Sequence, residues 1–421
     1  MRPLTLLALL LVLPPRCCFA DEPRLPPPLP LPAFDRIVID DAFPGGYQVE
    51  VADVNGDARP DVIAVGGGTC AWYENPSWKK RIITGPDRTP GIISSATTDL
   101  NGDGRAEVAI AYDFAMREPR RGKLGLAVPG GSSDDEWSFR TIVDVPSIHR
   151  LRWADTLGNG HTDLIVAPIF GPRSTPPAFQ EDSAQLVVFP SVSIEADRPE
   201  AIPLALAPVT HAIAVVRLPD DDRDSILSAS NLGVSLHRRL DTRHPSAPDT
   251  SRNLTLTPGA DSPPPARGAS EVHLGRFGPK HALLATIEPW HGSTVAVATI
   301  PLDALTPGAI EPDRIGPRTI LDETLDDGHA LWLADVNNDG IDEVFAGHRG
   351  ADHRVSAYHF DGEAWNRTIL DAAIAAQDLR GGDLNRDGLP DVVAIGGTTQ
   401  NLIWYRPRPT DPDALPLQPS R

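Results

Sequence analysis

DVNGDARPD, at Asp53–Asp61, is an acidic nine-residue stretch that recurs along the chain. Three further clean copies are DLNGDGRAE at Asp99–Glu107, DVNNDGIDE at Asp335–Glu343 and DLNRDGLPD at Asp383–Asp391. A degenerate copy, DTLGNGHTD, is at Asp155–Asp163. Oxygen-bearing side chains at positions 1, 3, 5 and 9, usually with Gly at position 6, are typical of a tight loop around a hard cation. Each copy lies between two apolar segments, which predicts a loop between β-strands and a repeat architecture.

The four clean copies predict calcium sites with oxygen ligands. Magnesium suits them less, because it demands near-octahedral geometry and retains its water. The predicted ligands are Asp53, Asn55, Asp57, Asp61, Asp99, Asn101, Asp103, Glu107, Asp335, Asn337, Asp339, Glu343, Asp383, Asn385, Asp387 and Asp391. We expect these ions to have a structural role, stabilising the blade that contains each loop. Two repeats lack the loop, and packing can replace an ion that only stabilises a blade.

The longer repeat that contains each acidic loop has the length and order of a β-propeller blade. It comprises an inner strand, the acidic loop, a second strand, a turn, a third strand and an outer strand of the form W-x-x-R-x-I. The predicted outer strands are Trp78–Thr84, Trp137–Asp144, Pro317–Asp322 and Trp365–Asp371, with weaker versions at Ile202–Ala205 and Asn253–Leu256. Two repeats, His211–His237 and Glu271–Thr299, keep the rhythm without the acidic loop and bring the number of blades to seven.

The two ends of the chain are expected to share one blade. The seventh repeat stops after its third strand, Asn401–Tyr405, whereas Phe34–Asp40 has the outer-strand pattern and no repeat before it. Joining them closes the ring without a free sheet edge. The prediction is an all-β fold, a seven-bladed β-propeller over residues 34–406 in which the N-terminal outer strand closes the last blade.

The segments outside the ring indicate export. Residues 1–20, with Met1-Arg2, an apolar run and Ala20, predict a cleaved signal peptide and a secreted or periplasmic protein. A Pro-rich linker is predicted at 21–33 and a disordered Pro-rich tail at 407–421. No apolar run is long enough for a membrane span. The net charge of −19, with no basic face, argues against nucleic acid and anionic lipid as partners, and no feature of the sequence identifies a protein partner.

The starts of the inner strands carry a notable set of side chains. Six residues before the first loop position, or its equivalent, the seven repeats hold Tyr47, Ile93, His149, His211, Ser270, His329 and Gln377. Inner strands surround the central channel, so three imidazoles at one level favour a zinc-like ion or another divalent transition metal on His149, His211 and His329. They could equally supply a general base, or cap strand starts by hydrogen bonding to neighbouring blades.

Neighbouring positions add polar groups to this face. The next slot contributes Arg150, Glu271 and Asp378, and the ends of the second strands contribute Asp113, Glu288, Trp290, His291, His348 and Arg349. We expect His237, His244, His281 and His353 to be ordinary surface residues.

Several short sequence motifs resemble those of a known family. WYENPSW (Trp72–Trp78), HRLRWAD (His149–Asp155), RGASEV (Arg267–Val272), IEPWHG (Ile287–Gly292), GHALWLAD (Gly328–Asp335) and AGHRG (Ala346–Gly350) are similar to the propeller domain of the aldos-2-ulose dehydratase family and related secreted FG-GAP/VCBS-repeat proteins. The resemblance implies dehydration of 2-keto sugars such as 1,5-anhydrofructose or aldos-2-uloses, with metal ions in the propeller. The fungal enzyme carries cupin-type domains after its propeller. We expect the isomerase step of such domains to be absent here.

A hydro-lyase of this kind would use the channel face. In this hypothesis a metal held by some of His149, His211 and His329, with Glu271, would polarise the ketone. His291 or His348 would act as base or acid, and Arg349 or Arg150 would orient the sugar oxygens. Trp290 would stack on the sugar or, alternatively, wedge between blades, and Asp378 and Asp113 would contact substrate.

A function of a different class stays open. It is a non-catalytic, calcium-stabilised scaffold that binds glycan or protein. A polysaccharide lyase is a third option, weakened by the few basic residues on this face. The sequence lacks a glycine-rich loop before a helix and any recognisable Ser-His-Asp arrangement, so nucleotide, flavin and triad chemistry find no support.

Overall fold

In the computed structural model the chain forms seven four-stranded antiparallel sheets, the blades of a β-propeller. The structure describes residues 27–194, 196, 199–239, 251–306 and 311–408. The expected signal peptide, His244, the first part of the linker and residues 409–421 of the expected tail lie outside these ranges. The predicted fold class and the number of blades are confirmed.

The strands follow chain order, with the inner strand of each blade first. Blades 1 to 3 contain β2 (Gly46–Ala52), β3 (Asp61–Gly66), β4 (Thr69–Glu74), β5 (Lys79–Thr84), β6 (Ser94–Thr98), β7 (Glu107–Tyr112), β8 (Lys123–Val128), β9 (Ser138–Asp144), β10 (Ile148–Ala154), β11 (Asp163–Pro168), β12 (Ala184–Phe189) and β13 (Ile202–Ala207). Blades 4 to 6 contain β14 (Thr210–Arg217), β15 (Asp224–Ser230), β16 (Gly233–Arg239), β17 (Ser251–Thr257), β18 (Glu271–Phe277), β19 (His281–Glu288), β20 (Thr294–Pro301), β21 (Thr319–Asp322), β22 (Gly328–Ala334), β23 (Glu343–His348), β24 (Arg354–Phe360) and β25 (Trp365–Asp371). Blade 7 contains β26 (Ala376–Gly382), β27 (Asp391–Gly396), β28 (Leu402–Pro407) and the N-terminal strand β1 (Phe34–Asp40).

The described helices are a four-residue α-helix, Ser191–Ile194, and two 3-10 turns, Leu302–Leu305 and Pro312–Arg314. Over the described ranges, the structure contains no helix with the length and apolarity that a membrane crossing requires.

Ring closure occurs where the sequence predicts it. Strand β1 pairs antiparallel with β28, with Ile37 opposite Trp404 and Phe34 opposite Pro407. Without this pairing both strands would leave unpaired backbone N–H and C=O groups at an edge. The closure holds the seven inner strands around one axis.

The core lies between blades. The second strands β3, β7, β11 and β27 are buried along their whole length, because each is covered by neighbouring blades on both faces. They therefore read as continuous apolar runs rather than as alternating strands. One apolar cluster, for example, joins Ile63 and Trp72 of blade 1 to Val108 and Ile110 of blade 2.

Each clean acidic loop is held in shape by its ninth residue, which is buried. The carboxylate of this residue accepts the N–H of the second loop residue at 3.1, 2.8, 3.0 and 2.8 Å in Asp61–Val54, Glu107–Leu100, Glu343–Val336 and Asp391–Leu384. Burial, together with the other carboxylates of its loop, raises the pKa of Glu343 to about 9. The Glu343 carboxyl is therefore protonated at neutral pH in the metal-free loop. All the acidic loops lie on the face opposite the strand starts, hereafter the loop face.

Carboxylates also join blades at their outer strands. At three consecutive junctions, the Asp that ends an outer strand accepts hydrogen bonds from a Tyr and a cationic side chain of the next blade. The contacts are Asp322 with Tyr358 and Arg367, Asp371 with Tyr405 and Arg36, and Asp40 with Tyr73 and Lys80. The closing blade is thus tied to both of its neighbours.

We expect Asp322→Asn to destabilise the fold by about 2 kcal/mol, because it removes the negative charge and replaces one of the two accepting oxygens with an NH2 donor beside Tyr358 and Arg367. Burial raises the pKa of Asp322, but hydrogen bonds from Thr324, Arg367 and Tyr358 outweigh it and lower the pKa to about 2. A depressed folded-state pKa stabilises the protein above the unfolded value of about 4, and that stabilisation is lost as the pH falls towards the folded value.

The measurement is thermal unfolding between pH 7 and pH 2. Asp144→Asn is the matched control, because Asp144 ends the outer strand of blade 2 and is exposed. Equal losses of stability in the two variants, or an Asp322→Asn curve that keeps the full acid sensitivity of the parent, would contradict this account.

Candidate active site and metal centre

Four histidines and a tyrosine meet where the inner strands begin. His149, His211 and His329 come from β10, β14 and β22, Tyr47 comes from β2, and His291 lies in the turn after β19. We call this group the histidine mouth. The ring centroids of His211 lie 4.9 Å from those of His291 and His329. One ring nitrogen each of His211, His291 and His329 lies within 4.8 Å of the others, which is close enough to share one metal ion.

Backbone carbonyls of the next blade fix the tautomers of the inner-strand histidines. Nδ1 lies 3.0 Å from the carbonyl of residue 211 for His149, 3.0 Å from that of Ser270 for His211, and 2.6 Å from that of Gln377 for His329. A carbonyl oxygen only accepts, so each Nδ1 carries the proton. The Nε2 lone pair is therefore left free to bind a metal, as in metal-ligating histidines. The sequence left two alternatives for these histidines, capping of a neighbouring strand and metal binding. The observed geometry allows one side chain to do both, through Nδ1 and Nε2 respectively.

The three inner-strand histidines are uncharged at neutral pH. Burial lowers the pKa of His149, His211 and His329 well below the ordinary value, and nearby Arg150 or Arg349 lowers it further. Neutral imidazole is the form that binds transition metals.

The convergent trio differs from the predicted one. His149 lies beside the trio, and its Nε2 is 3.0 Å from the Tyr47 hydroxyl and 3.2 Å from an Arg150 nitrogen, both of which can donate to it. His291 takes the third place, with its Nε2 3.1 Å from that of His211. The sequence put His291 on this face but could not show its distance from the strand starts, because a turn positions it.

Arg349 orients His291. It donates to Nδ1 of His291 at 3.2 Å, to Gln377 Oε1 at 2.7 Å and to Asp327 Oδ2 at 2.8 Å. With Nδ1 accepting, His291 carries its proton on Nε2 and donates it to His211. Asp327 belongs to the turn before β22, outside the repeat register, so its position could not be predicted from the sequence.

Glu271 is a buried carboxylate beside the trio. Its Oε1 lies 3.0 Å from Nδ1 of His211, but that N–H points to the Ser270 carbonyl. Among the described residues, none donates a hydrogen bond to this oxygen. Burial raises the pKa of Glu271 to about 7, although Arg150 and other arginines oppose this shift. A carboxyl group in this environment can exchange a proton at neutral pH.

Two other predicted residues form the floor of the mouth. The Arg150 guanidinium lies 5.2 Å from the Tyr47 ring centroid. Asp378 accepts from Arg380 at 2.9 Å and from the Val49 N–H at 3.2 Å, so its carboxylate is engaged in the channel wall.

The remaining predicted residues lie farther out. His348 hydrogen bonds through Nδ1 to the backbone of Asp326, Asp113 pairs with Arg121, and Glu288 pairs with Arg318 at 2.7 Å. Trp290 packs edge-on against Phe170 and Phe179, with ring centroids 5.8 and 6.2 Å apart, and is 5.2 Å from His291. Trp290 thus wedges between blades and also borders the mouth.

The prediction that His237 is a surface residue is wrong. Its side chain is buried and hydrogen bonds to Ser228 and Asn253, each at 2.7 Å. The Asn253 partner lies on the outer strand β17, whose contacts the sequence did not reveal. His281 and His353 are half-buried.

Comparisons with known proteins agree with this architecture. Residues 40–110 and 335–394, which contain the four clean acidic loops, match the family model described as FG-GAP-like repeat. Over 383 residues the chain is 26% identical to an aldos-2-ulose dehydratase of Phanerodontia chrysosporium, in an alignment covering 81% of this chain and 39% of that protein. The resemblance noted from the sequence is therefore confirmed, although the chain spans well under half of that relative's length.

Solved structures include similar folds. A chain from the crystal structure of a mitotic checkpoint complex matches with a TM-score of 0.51 and 11% identity, covering 96% of this chain and 98% of that chain. An exotype rhamnogalacturonan lyase matches with a TM-score of 0.45 and 12% identity, over 91% of this chain and 76% of that chain. The first likeness reflects the fold alone.

In metal-free protein we expect His149, His211 and His329 to be neutral Nδ1–H tautomers that do not titrate between pH 8 and about pH 6, since burial disfavours the imidazolium form. Long-range ¹⁵N–¹H correlation spectra of ¹⁵N-histidine-labelled protein measure tautomer and charge together. His281, which is half-buried at the start of β19, is the comparison signal. A set of Nε2–H tautomers, or midpoints near 6.5 for the inner-strand histidines, would refute the assignment.

Proposed function

We propose that this protein is a carbon–oxygen hydro-lyase that removes water from a keto sugar at the histidine mouth, with a zinc-like ion on His211, His291 and His329. The observation that carries the proposal is the convergence of these three imidazoles within 4.8 Å. A propeller that served only as a scaffold has no need of such a group at its channel.

The donor set fits a transition metal. The Nε2 lone pairs of His211 and His329 are free because Nδ1 of each donates to a carbonyl. His291 can join them if its proton moves from Nε2, where it is donated to His211, to Nδ1, where Asp327 Oδ1 lies at 3.4 Å. The Arg349 N–H that Nδ1 accepts in the metal-free structure would then turn away. An ion bound here would act as a Lewis acid towards the ketone oxygen of the sugar.

The chain's own groups supply the proton transfers. Water loss requires that the carbon next to the ketone give up a proton while the hydroxyl one carbon further leaves with a proton, as water. Glu271, with a pKa near neutrality and an unpartnered oxygen, is placed to accept the carbon-bound proton. Once protonated, Glu271 can deliver that proton to the departing hydroxyl, so one water is released and a carbon–carbon double bond conjugated to the ketone forms. His291, as a ligand of the ion, takes no part in the proton transfer.

Other residues would bind the sugar. Arg349 and Arg150 offer guanidinium N–H groups to its oxygens, and Trp290 forms an apolar wall beside His291. The keto-sugar class is supported by the aldos-2-ulose dehydratase relative, of whose length the alignment covers 39%.

We further propose that calcium ions bind the four clean acidic loops and that residues 1–20 direct export. The loop proposal is supported by the recurrent oxygen pattern and by the hydrogen bonds that preorder each loop, such as Asp53 Oδ1 accepting the Gly56 N–H at 2.8 Å. The export proposal rests on the sequence pattern.

We expect Glu271→Gln to lower kcat by at least 10²-fold, because the amide cannot accept the proton from carbon. The assay follows the ultraviolet absorbance of the unsaturated ketone formed from 1,5-anhydrofructose or an aldos-2-ulose. Glu118→Gln is the control, since Glu118 lies near the same rim and is exposed.

Two outcomes would contradict the proposal. If the metal-replete parent forms no unsaturated ketone from any 2-keto sugar of a panel, the calcium-stabilised scaffold becomes the better explanation. If Glu271→Gln and Glu118→Gln retain equal activity, Glu271 is not the base.

A further inference from the structure

A second ring of side chains lies deeper in the channel. Three residues beyond the positions that supply the histidine mouth, the seven inner strands hold Glu50, Ala96, Arg152, Ala214, His273, Trp332 and Arg380. At about 3.3 Å per residue, this ring is roughly 10 Å farther along the strands. Neither the acidic loops nor the proposed reaction uses it.

The two levels are separated by a buried layer. The intervening second positions are Gln48, Ser94, Arg150, Ala212, Glu271, Ala330 and Asp378, each at most 7% exposed. In contrast, Glu50, Arg152, His273, Trp332 and Arg380 are only half-buried. Solvent therefore reaches the deeper ring from the loop face.

These five residues line a cavity of about 350 Å³, which we call the arginine chamber. Its remaining walls are mainly apolar, with Val215, Leu274 and Leu333 among them. The volume is at the lower end of the range for small-molecule sites, which combine apolar walls with a few oriented polar groups.

Arg152 has unused donors in the chamber. Its hydrogen bond is to the carbonyl of Leu151, at 2.7 Å, and within the described part of the chain no carboxylate forms an ion pair with it. Arg380 pairs with Asp378 at 2.9 Å and donates to the Leu379 carbonyl at 2.7 Å. Since a guanidinium has five N–H donors, both arginines can bind a further acceptor.

The other titratable groups do not satisfy these donors. Both oxygens of Glu50 are engaged, one by the Ser95 hydroxyl and the other by the Thr97 N–H at 3.1 Å. Burial lowers the pKa of His273 well below its ordinary value, as do the nearby arginines, so the ring is uncharged. The chamber thus presents Arg152, which forms no ion pair within the described residues, beside Arg380, whose ion pair with Asp378 leaves some of its N–H donors free.

Trp332 adds an aromatic wall. Its ring lies 5.9 Å from the Arg380 guanidinium carbon and 5.1 Å from the His273 ring. No residue within the described ranges accepts a hydrogen bond from its buried Nε1. A ligand with a flat or ring-shaped body beside its acidic group would match this arrangement.

We propose that the arginine chamber is a second ligand site, which binds the carboxylate of a small organic acid between Arg152 and Arg380 with the body of the acid against Trp332. The planar fork of a guanidinium matches the two oxygens of a carboxylate. The site is spatially distinct from that of the proposed dehydration, because the buried layer separates it from the histidine mouth.

Isothermal titration calorimetry of the full chain tests the proposal with D-glucuronate and benzoate as probes. D-Glucose, which lacks the carboxylate, and inorganic phosphate, a tetrahedral oxyanion, are the comparison ligands. We expect at least one carboxylate to bind saturably and more weakly at high salt, and glucose not to bind. Absence of binding by both carboxylates, or phosphate binding as tightly as they do, would overturn the assignment.

Arg152→Gln is the decisive variant. Because no described carboxylate pairs with Arg152, the substitution leaves no buried charge unpaired, and we expect the melting temperature to stay unchanged. We expect at least a tenfold weaker affinity for the carboxylate, with partial recovery in Arg152→Lys. Arg314→Gln, which removes the same charge from the exposed 3-10 turn after β20, should bind as the parent does. Equal affinities of Arg152→Gln and the parent would refute the site.

Discussion

Everything at the channel depends on the pairing of β1 with β28. This ladder turns seven similar sheets into a closed ring, and closure is what brings equivalent positions of distant repeats together. His149 and His329 are far apart in sequence, yet both lie within reach of the Tyr47 hydroxyl, at 3.0 and 3.5 Å. The closing blade is also tied sideways through Asp371 and Asp40.

Closure also explains why one histidine side chain can donate to a neighbouring blade and still offer a nitrogen to a metal ion. Each inner-strand histidine reaches the backbone carbonyl of the equivalent residue in the following blade, which is residue 211, 270 or 377. The spacing between blades, rather than a separate carboxylate side chain, therefore fixes its tautomer. The same spacing buries Glu271 against His211 and leaves its Oε1 without a donor. An unpartnered buried carboxylate costs stability, and such costs concentrate at functional sites.

The repeat made the fold predictable, and turns limited what could be predicted of the site. Blade number, outer strands and ring closure followed from the acidic loops and the apolar rhythm, and the alignment of inner strands placed His211 and His329 at one level. His291 and Asp327 lie in turns outside that register, so their closeness to His211 and His329 depends on tertiary structure. His237 was misjudged because its partner Asn253 is on a separate strand. Arg152 and Arg380 were within reach of the same alignment, three residues farther along each strand.

The most direct test of the central claim is the metal content of the dialysed protein by elemental mass spectrometry. It compares the parent with His211→Ala/His291→Ala/His329→Ala and with His149→Ala. The account predicts calcium in all three proteins, and its presence also verifies that they are folded. It predicts roughly one zinc-like ion per chain in the parent and in His149→Ala, and none in the triple variant. The same transition-metal content in the parent and the triple variant, or calcium alone in every sample, would contradict it.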